Sequence, residues 1–213
     1  DRRQRQICIR DRIDKEAQNC ILLFGGANQM LTKEYIDGVL SHFQDGDILL
    51  LQNEVNDIAY MVECAYEKGM QIALNPSPFN ERLEDVDMEK ISIFLLNEIE
   101  GGQITGLSDP DRIFHEMCCR FPKAKIVLTL GSDGAVYGAT GQTYRQPIFP
   151  VHAVDTTAAG DTFTGYFLAG LVEGLPVEQT LRMSAKASSI AVTREGAVPS
   201  IPYRSEVEEA LKQ

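Results

Sequence analysis

The sequence predicts an α/β protein built on a mostly parallel sheet with helices on both faces. Three observations lead there. Short apolar runs (Ile48–Leu51, Gln71–Leu74, Ile91–Leu96, Lys125–Thr129) alternate with stretches of helical spacing. Polar or glycine-rich residues follow each run, as at the carboxyl ends of strands in open α/β sheets. The 213 residues are 44% apolar and 24% charged, ordinary for a globular chain that buries a core.

Composition removes several function classes. A net charge of −11 argues against nucleic-acid or anionic-membrane partners. No apolar run reaches the roughly eighteen residues of a spanning helix, and no secretory leader is visible, so a soluble, cytoplasmic protein is expected. Cys8, Cys20, Cys64, Cys118 and Cys119 contain no C-x-x-C pair, which argues against a disulfide framework or zinc site. G-x-x-x-x-G-K-[ST], G-x-G-x-x-G and G-x-S-x-G are all absent, against P-loop kinases, Rossmann dehydrogenases and α/β-hydrolases.

Residues 1–12 have no apolar period and are rich in arginine. They resemble an in-frame translation of a sequencing adapter and are set aside as a non-native leader. From Ile13 a strand, a polar turn (Asp14–Ala17) and a second strand (Cys20–Phe24) form a ribbon, broken at Gly25–Asn28. A helix is predicted over Thr32–Phe43 with Thr32 as N-cap. The strand at Asp47–Leu51 runs into Gln52-Asn53-Glu54, where Glu54 reads as either a ligand-facing acid or a solvated loop acid. A helix over Asp57–Lys68 is closed by Gly69. The next strand ends in Asn75-Pro76-Ser77-Pro78, an extended loop on the same sheet edge. After Ile91–Leu96 comes Asn97-Glu98-Ile99-Glu100. This pairs a carboxamide with a carboxylate, suited to a hydrated magnesium ion and equally to capping the next helix. A helix over Asp109–Arg120 carries Ile113, Phe114 and Met117 on one face. His115, Cys118 and Cys119 on it read as packing or surface residues. The turn Leu130–Gly134 follows Thr129, and Ala135–Tyr137 with Thr143–Arg145 form a hairpin. Helices are predicted over Thr162–Glu173, Leu181–Thr193 and Ser205–Lys212, with a loop Ala191–Ser200 between the last two.

The most informative stretch is Asp155-Thr156-Thr157-Ala158-Ala159-Gly160-Asp161-Thr162-Phe163. Phe163, Tyr166, Phe167, Gly170 and Leu171 recur at helical spacing, which puts Asp161 at a helix start. Ala158, Ala159 and Gly160 leave backbone donors there open to an anion. A carboxylate at that point can take a proton from an attacking hydroxyl. Aspartate is also a favoured helix cap, and the residues alone leave both readings open.

This nonapeptide resembles the C-terminal signature of the ribokinase-like (PfkB) carbohydrate kinases, and the resemblance extends along most of the chain. It implies a ribokinase-like three-layer α/β/α fold lacking its N-terminal third, with residues 13–28 as the remnant of a β-clasp lid and 29–213 as the C-terminal part of the kinase domain. The implied reaction is ATP-dependent phosphorylation of a sugar hydroxyl, with D-ribose as first choice. A fructose, sugar-phosphate or nucleoside kinase of the same family, or a non-catalytic nucleotide- or sugar-binding protein, are the alternatives. By resemblance Asp161 is the catalytic base, also contacting substrate, and Ala158, Ala159 and Gly160 form the anion hole. Glu54 contacts the sugar. Asn97, Thr129, Gly131, Ser132, Asp133, Gly134 and Gly160 meet ATP, and Asn97 and Glu100 act on magnesium through water. Asp155, Thr157, Ala191, Arg194, Gly196 and Ser200 enclose potassium, mostly through main-chain oxygens. The family's usual polar contact to adenine falls near Ala185, where no polar side chain is available. The resemblance further implies a parent homodimer joined through the lid, and a chain that is inactive by itself.

Overall fold

The computed structural model describes residues 8–13 and 19–212. Residues 1–7 of the leader and the turn Asp14–Ala17 lie outside the described residues. Strand β1 (Cys8–Ile13) pairs with β2 (Asn19–Phe24) in a two-stranded ribbon. β1 begins at Cys8, inside the stretch that the arginine-rich composition set aside, so the strand is longer than the sequence predicts.

From Lys33 on, helices and strands alternate as the periodicity predicts: α1 (Lys33–Leu40), β3 (Ile48–Gln52), α2 (Ile58–Glu67), β4 (Gln71–Asn75), β5 (Ile93–Asn97), α3 (Glu98–Thr105), α4 (Pro110–Arg120) and β6 (Lys125–Thr129). β7 (Ala135–Ala139), β8 (Gln142–Gln146), α5 (Ala159–Val172), α6 (Val177–Ala191) and α7 (Arg204–Ala210) complete the order. Strands β3 to β8 form one six-stranded sheet in sequence order. β3, β4 and β5 are parallel, with Ile48 opposite Gln71 and Ala73 opposite Ile93. Such neighbours require crossover connections, here supplied by α2 and the 76–92 segment. β7 and β8 are joined by two residues, Thr140 and Gly141, both at positive φ (49° and 77°). A two-residue loop of this kind makes an antiparallel hairpin.

By its internal contacts the chain forms two compact units. One comprises chiefly Leu23–Leu128 with Tyr137–Thr143; the other comprises chiefly Thr129–Val136 and the chain from Tyr144 on, together with Arg10–Leu22.

In the first unit the central strands are apolar throughout because they are covered on both faces. Ile72, Ala73, Leu74, Ile93, Phe94, Ile126, Val127 and Leu128 are all buried. On β3, which ends the strand order, Leu50 is 45% exposed. Thr32 caps α1 by accepting the Tyr35 N–H at 3.2 Å, as predicted. Asp109 likewise caps α4 through the Arg112 N–H at 2.9 Å, and α4 buries Ile113, Phe114 and Met117. Helix α3 is the least legible element, since Gly101 and Gly102 interrupt any apolar period. Packing explains them: a Cβ on Gly101 would lie 2.6 Å from Ile113 Cγ2, so glycine lets α3 and α4 close together.

The second unit is a helical assembly of α5, α6 and α7. Phe163 and Phe167 stack at 6.4 Å and both are buried. α6 begins at Val177, earlier than the predicted Leu181, because tertiary packing buries Thr180 at its N-terminal end beside Gly170 of α5. The small residues of α6 do allow close approach, and Ser188 Oγ donates to the Ala159 carbonyl at 3.0 Å.

Candidate active site

In the second unit the central motif folds into a turn and the first coil of α5. The helix starts at Ala159, three residues before its apolar period suggests, with Ala158 as N-cap. Asp161 is therefore the third residue of the helix and not its cap, which removes the capping reading of this acid. Ala158 sits in the left-handed region (φ 59°, ψ 12°) and offers no side-chain cap. For an alanine this conformation costs about 1–2 kcal/mol, and such strain concentrates at functional turns. The Ala159 N–H donates to the Thr156 carbonyl at 3.2 Å, and Thr162 N–H to Ala158 at 2.9 Å. Gly160 and Asp161 are exposed. A cavity of about 350 Å³ opens beside Asp161, lined by Thr162, Gly165, Tyr166, Met183 and Arg204 among others. Thr162 Oγ1 is buried there without a hydrogen-bond partner.

Asp155 ties this turn to the loop after α6. Its side chain is buried. Oδ1 accepts the Thr157 N–H and Oδ2 the Gly196 N–H, each at 2.8 Å. The Thr157 hydroxyl, the Thr157 N–H and the Gly196 N–H together hold the carboxyl below its ordinary range. Val154 and Asp155 N–H groups both donate to the Val192 carbonyl, at 2.8 and 3.2 Å. Six residues assigned to one cation loop thus divide by geometry. Asp155, Thr157 and Gly196 are joined directly. The Ala191 carbonyl accepts the Arg194 N–H, and Ser200 is buried with its hydroxyl on Ala197. The Arg194 guanidinium turns away to Glu206 at 2.6 Å.

The turn before β7 is a short 3-10 helix, Gly131–Asp133, closed by Leu130 N–H to Gly134 O at 2.8 Å. Gly134 (φ 93°) is required: a Cβ there would lie 2.1 Å from the Gln146 carbonyl oxygen. Thr129 is half-buried, and Gly131, Ser132 and Asp133 are exposed.

In the first unit Asn97 and Glu100 form a reciprocal capping box on α3. Asn97 Oδ1 accepts the Ile99 and Glu100 N–H groups at 2.9 and 3.0 Å, and Glu100 Oε2 accepts the Asn97 N–H at 3.0 Å. Glu100 is buried, with Oε2 already engaged. Glu54 is exposed just past β3. Its neighbour Asn53, passed over in the sequence, is the buried residue of this turn. It donates Nδ2–H to Pro78 O at 2.6 Å and its N–H to Ser77 O at 3.2 Å. Asn53 Oδ1 is buried without a partner. Gln29 and Asn56 were also missed: Gln29 Nε2 donates to the Glu54 carbonyl at 2.8 Å, and Asn56 pairs with both backbone groups of Leu31. Only contacts between distant segments reveal these roles; a polar turn residue carries no such mark in sequence.

The model of the pfkB family carbohydrate kinases matches residues 8–204. The chain belongs to this family. It is 31% identical over 210 residues to a ribokinase of Haemophilus influenzae, covering 94% of this chain and 67% of the relative. It is 33% identical over 198 residues to a ribokinase of Bacillus subtilis, covering 92% and 66%. Among solved structures, a ribokinase of Thermotoga maritima superposes with a TM-score of 0.78 at 32% identity, over 97% of this chain and 70% of that one. An Arabidopsis thaliana ribokinase complexed with ribose and ATP gives 0.79 at 28% identity, over 95% and 68%. The predicted α/β class and the ribokinase-like fold are thereby established. The chain spans about two thirds of the length of the Haemophilus influenzae and Bacillus subtilis ribokinases. Among the described residues no helix is long and apolar enough to cross a membrane, and no cluster of three or more His, Cys, Asp or Glu could hold a metal ion.

Proposed function

We propose that this chain is the C-terminal part of an ATP-dependent sugar kinase that phosphorylates D-ribose to D-ribose 5-phosphate. The observation that carries the reading is the first turn of α5: an uncapped helix start with a strained Ala158, small residues at Ala159 and Gly160, and the exposed carboxylate of Asp161. In a member of this family, Asp161 takes the proton of the attacking sugar hydroxyl. The helix N-terminus at Ala158, Ala159 and Gly160 stabilises negative charge on the transferring phosphoryl group. The Ala159 N–H already has a carbonyl partner, so Gly160 carries more of that work. Thr129 and the Gly131–Gly134 turn (with Ser132 and Asp133) contact ATP, and Glu54 contacts the sugar.

Magnesium and potassium follow from the same reading, and the residues fit both in a limited way. Asn97 Oδ1 and Glu100 Oε2 are engaged with backbone. The donor set therefore suits a hydrated magnesium ion held through water, not direct ligation. Magnesium supplies charge neutralisation at the phosphates. For potassium, both Asp155 carboxylate oxygens accept N–H groups and the Arg194 guanidinium is paired. Those residues, with Thr157, Ala191, Gly196 and Ser200, can offer chiefly main-chain oxygens, which suit a hard monovalent ion.

The exposed Leu50 on the terminal strand supports a fold completed by further sequence. We place the remaining sugar contacts and the rest of the lid in that sequence, so the chain alone has little or no kinase activity. The parent dimerises through the ribbon of β1 and β2, since a lone ribbon is marginal in water. Both β1 and the family match begin at residue 8, so on this reading a non-native leader is confined to residues 1–7 of the predicted 1–12, and the parent is cytoplasmic. A deoxyribokinase of Salmonella typhi is 29% identical over 208 residues, which makes deoxyribose the second reading.

The test measures ATP consumption with ribose, deoxyribose, fructose, fructose 6-phosphate and adenosine, with and without potassium. It uses this chain, a version extended to the relatives' length, and the extended version carrying Asp161→Asn. Potassium-stimulated turnover on ribose in the extended protein, reduced about 10²–10⁴-fold in the variant, is expected. A folded extended protein that phosphorylates no pentose refutes the assignment.

A further inference from the structure

Helix α4 carries a group of reactive side chains that the kinase reading does not use. His115 and Cys119 are one helical turn apart and both exposed, with Cys119 Sγ 3.6 Å from His115 Nδ1. Both line a cavity of about 260 Å³ whose other walls include Phe114, Phe121, Pro122 and Ala139. The nucleophile thus sits at the mouth of an apolar, ring-lined recess beside a basic nitrogen. Cys118, the next residue, lies about 100° away around the helix; it is half-buried and lines the same recess from its β7 side. A Cβ on Gly138 would lie 2.8 Å from its Sγ. Burial, and to a lesser degree the Cys119 sulfur, push the Cys118 thiol up, so it holds less thiolate, the reactive form.

We propose that Cys119 and His115 form a thiol-modification site that takes aryl-bearing disulfides and electrophiles, with Cys118 spared. In the disulfide case His115 Nδ1 accepts the Cys119 thiol proton while the ring's own proton sits on Nε2. The Cys119 sulfur attacks one sulfur of the reagent. A Cys119–S–S–aryl bond forms, the reagent's S–S bond breaks, and an aryl thiolate leaves with the electron pair. The reagent is the oxidant, one of its sulfurs leaving reduced, and the proton on His115 passes to solvent. The recess lined by Phe114 and Phe121 receives the ring.

The 213-residue chain is treated with 5,5′-dithiobis(2-nitrobenzoate), and adducts at each cysteine are followed by peptide mass spectrometry. Cys119 is expected to react well ahead of Cys64 and Cys118. His115→Ala should slow Cys119 about tenfold, less than the roughly 10²–10⁴-fold of a general base in a closed active site because this pair is exposed, while Cys64 keeps its rate. Because His115 is exposed, an unchanged circular-dichroism melt for the variant identifies the loss as local. A Cys119 rate unmoved by His115→Ala overturns the dyad. With 2-hydroxyethyl disulfide, and both reagents normalised to an unstructured peptide thiol, the preference for the aryl reagent should persist in the folded chain. Equal normalised rates overturn the role of the recess.

Discussion

Replacing Asp155 is the sharpest perturbation of the second unit. Its carboxylate is buried and accepts two backbone N–H groups, from Thr157 and Gly196, each at 2.8 Å. A hydrogen bond to a charged group contributes about 1.5–3 kcal/mol, and a stranded buried donor costs about 1–3 kcal/mol. Asp155→Ala strands both donors and should cost about 3–5 kcal/mol, a large share of the ~5–15 kcal/mol typical of a folded protein. Asp155→Asn keeps one acceptor and the shape, and should cost about half as much. Urea unfolding followed by circular dichroism measures both. The pH dependence carries a definite sign. The Thr157 hydroxyl, the Thr157 N–H and the Gly196 N–H depress the folded carboxyl below its ordinary value. The stabilisation is therefore complete above the unfolded value of about 3.9, and is lost as pH falls through the lower folded one. The gap between the native chain and Asp155→Ala should be flat from about pH 8 to 5 and shrink below about 4. A cost under about 1 kcal/mol, or a gap that widens in acid, would refute the clamp.

Other perturbations follow from single contacts. Gly134→Ala places a Cβ against the Gln146 carbonyl at positive φ and should cost about 3 kcal/mol from overpacking and backbone strain together, read as a lowered urea midpoint. Asn97→Ala removes the α3 capping box and should cost about 1 kcal/mol, visible in the same titration. Ala158→Gly relieves the left-handed strain and should shift stability by less than about 1 kcal/mol, since the added chain entropy of glycine opposes the relief. In the extended enzyme it should leave ATP affinity within about threefold, measured by titration calorimetry.

Much of the architecture was legible because its signals are local. The strands at Gln71–Leu74 and Lys125–Thr129 read correctly since buried parallel strands are apolar along their length. Thr32 read correctly as a cap since a cap needs only its own helix. The nonapeptide ending in Phe163 pointed to the family without help from any distant residue. Other features depended on contacts that one sequence does not display. Gly101 and Gly102 hid α3 because their purpose is the approach of Ile113 from α4. Asp161 was placed at a helix start, but only folding shows Ala158 taking the cap in a left-handed conformation and leaving the acid in the first turn.

The sequence by itself therefore determined the class, the alternation of strands and helices apart from α3, and the site-bearing motif, because hydrophobic period and turn chemistry act over a few residues. Tertiary structure alone decided that Asp155 is a buried clamp reaching Gly196 and that Asn53, not Glu54, anchors the turn after β3. It also decided that Arg194 spends its charge on Glu206. Each of these is a pairing between segments far apart in the chain. Burial makes an unpaired polar group expensive, so the partner is chosen by what the fold brings within reach.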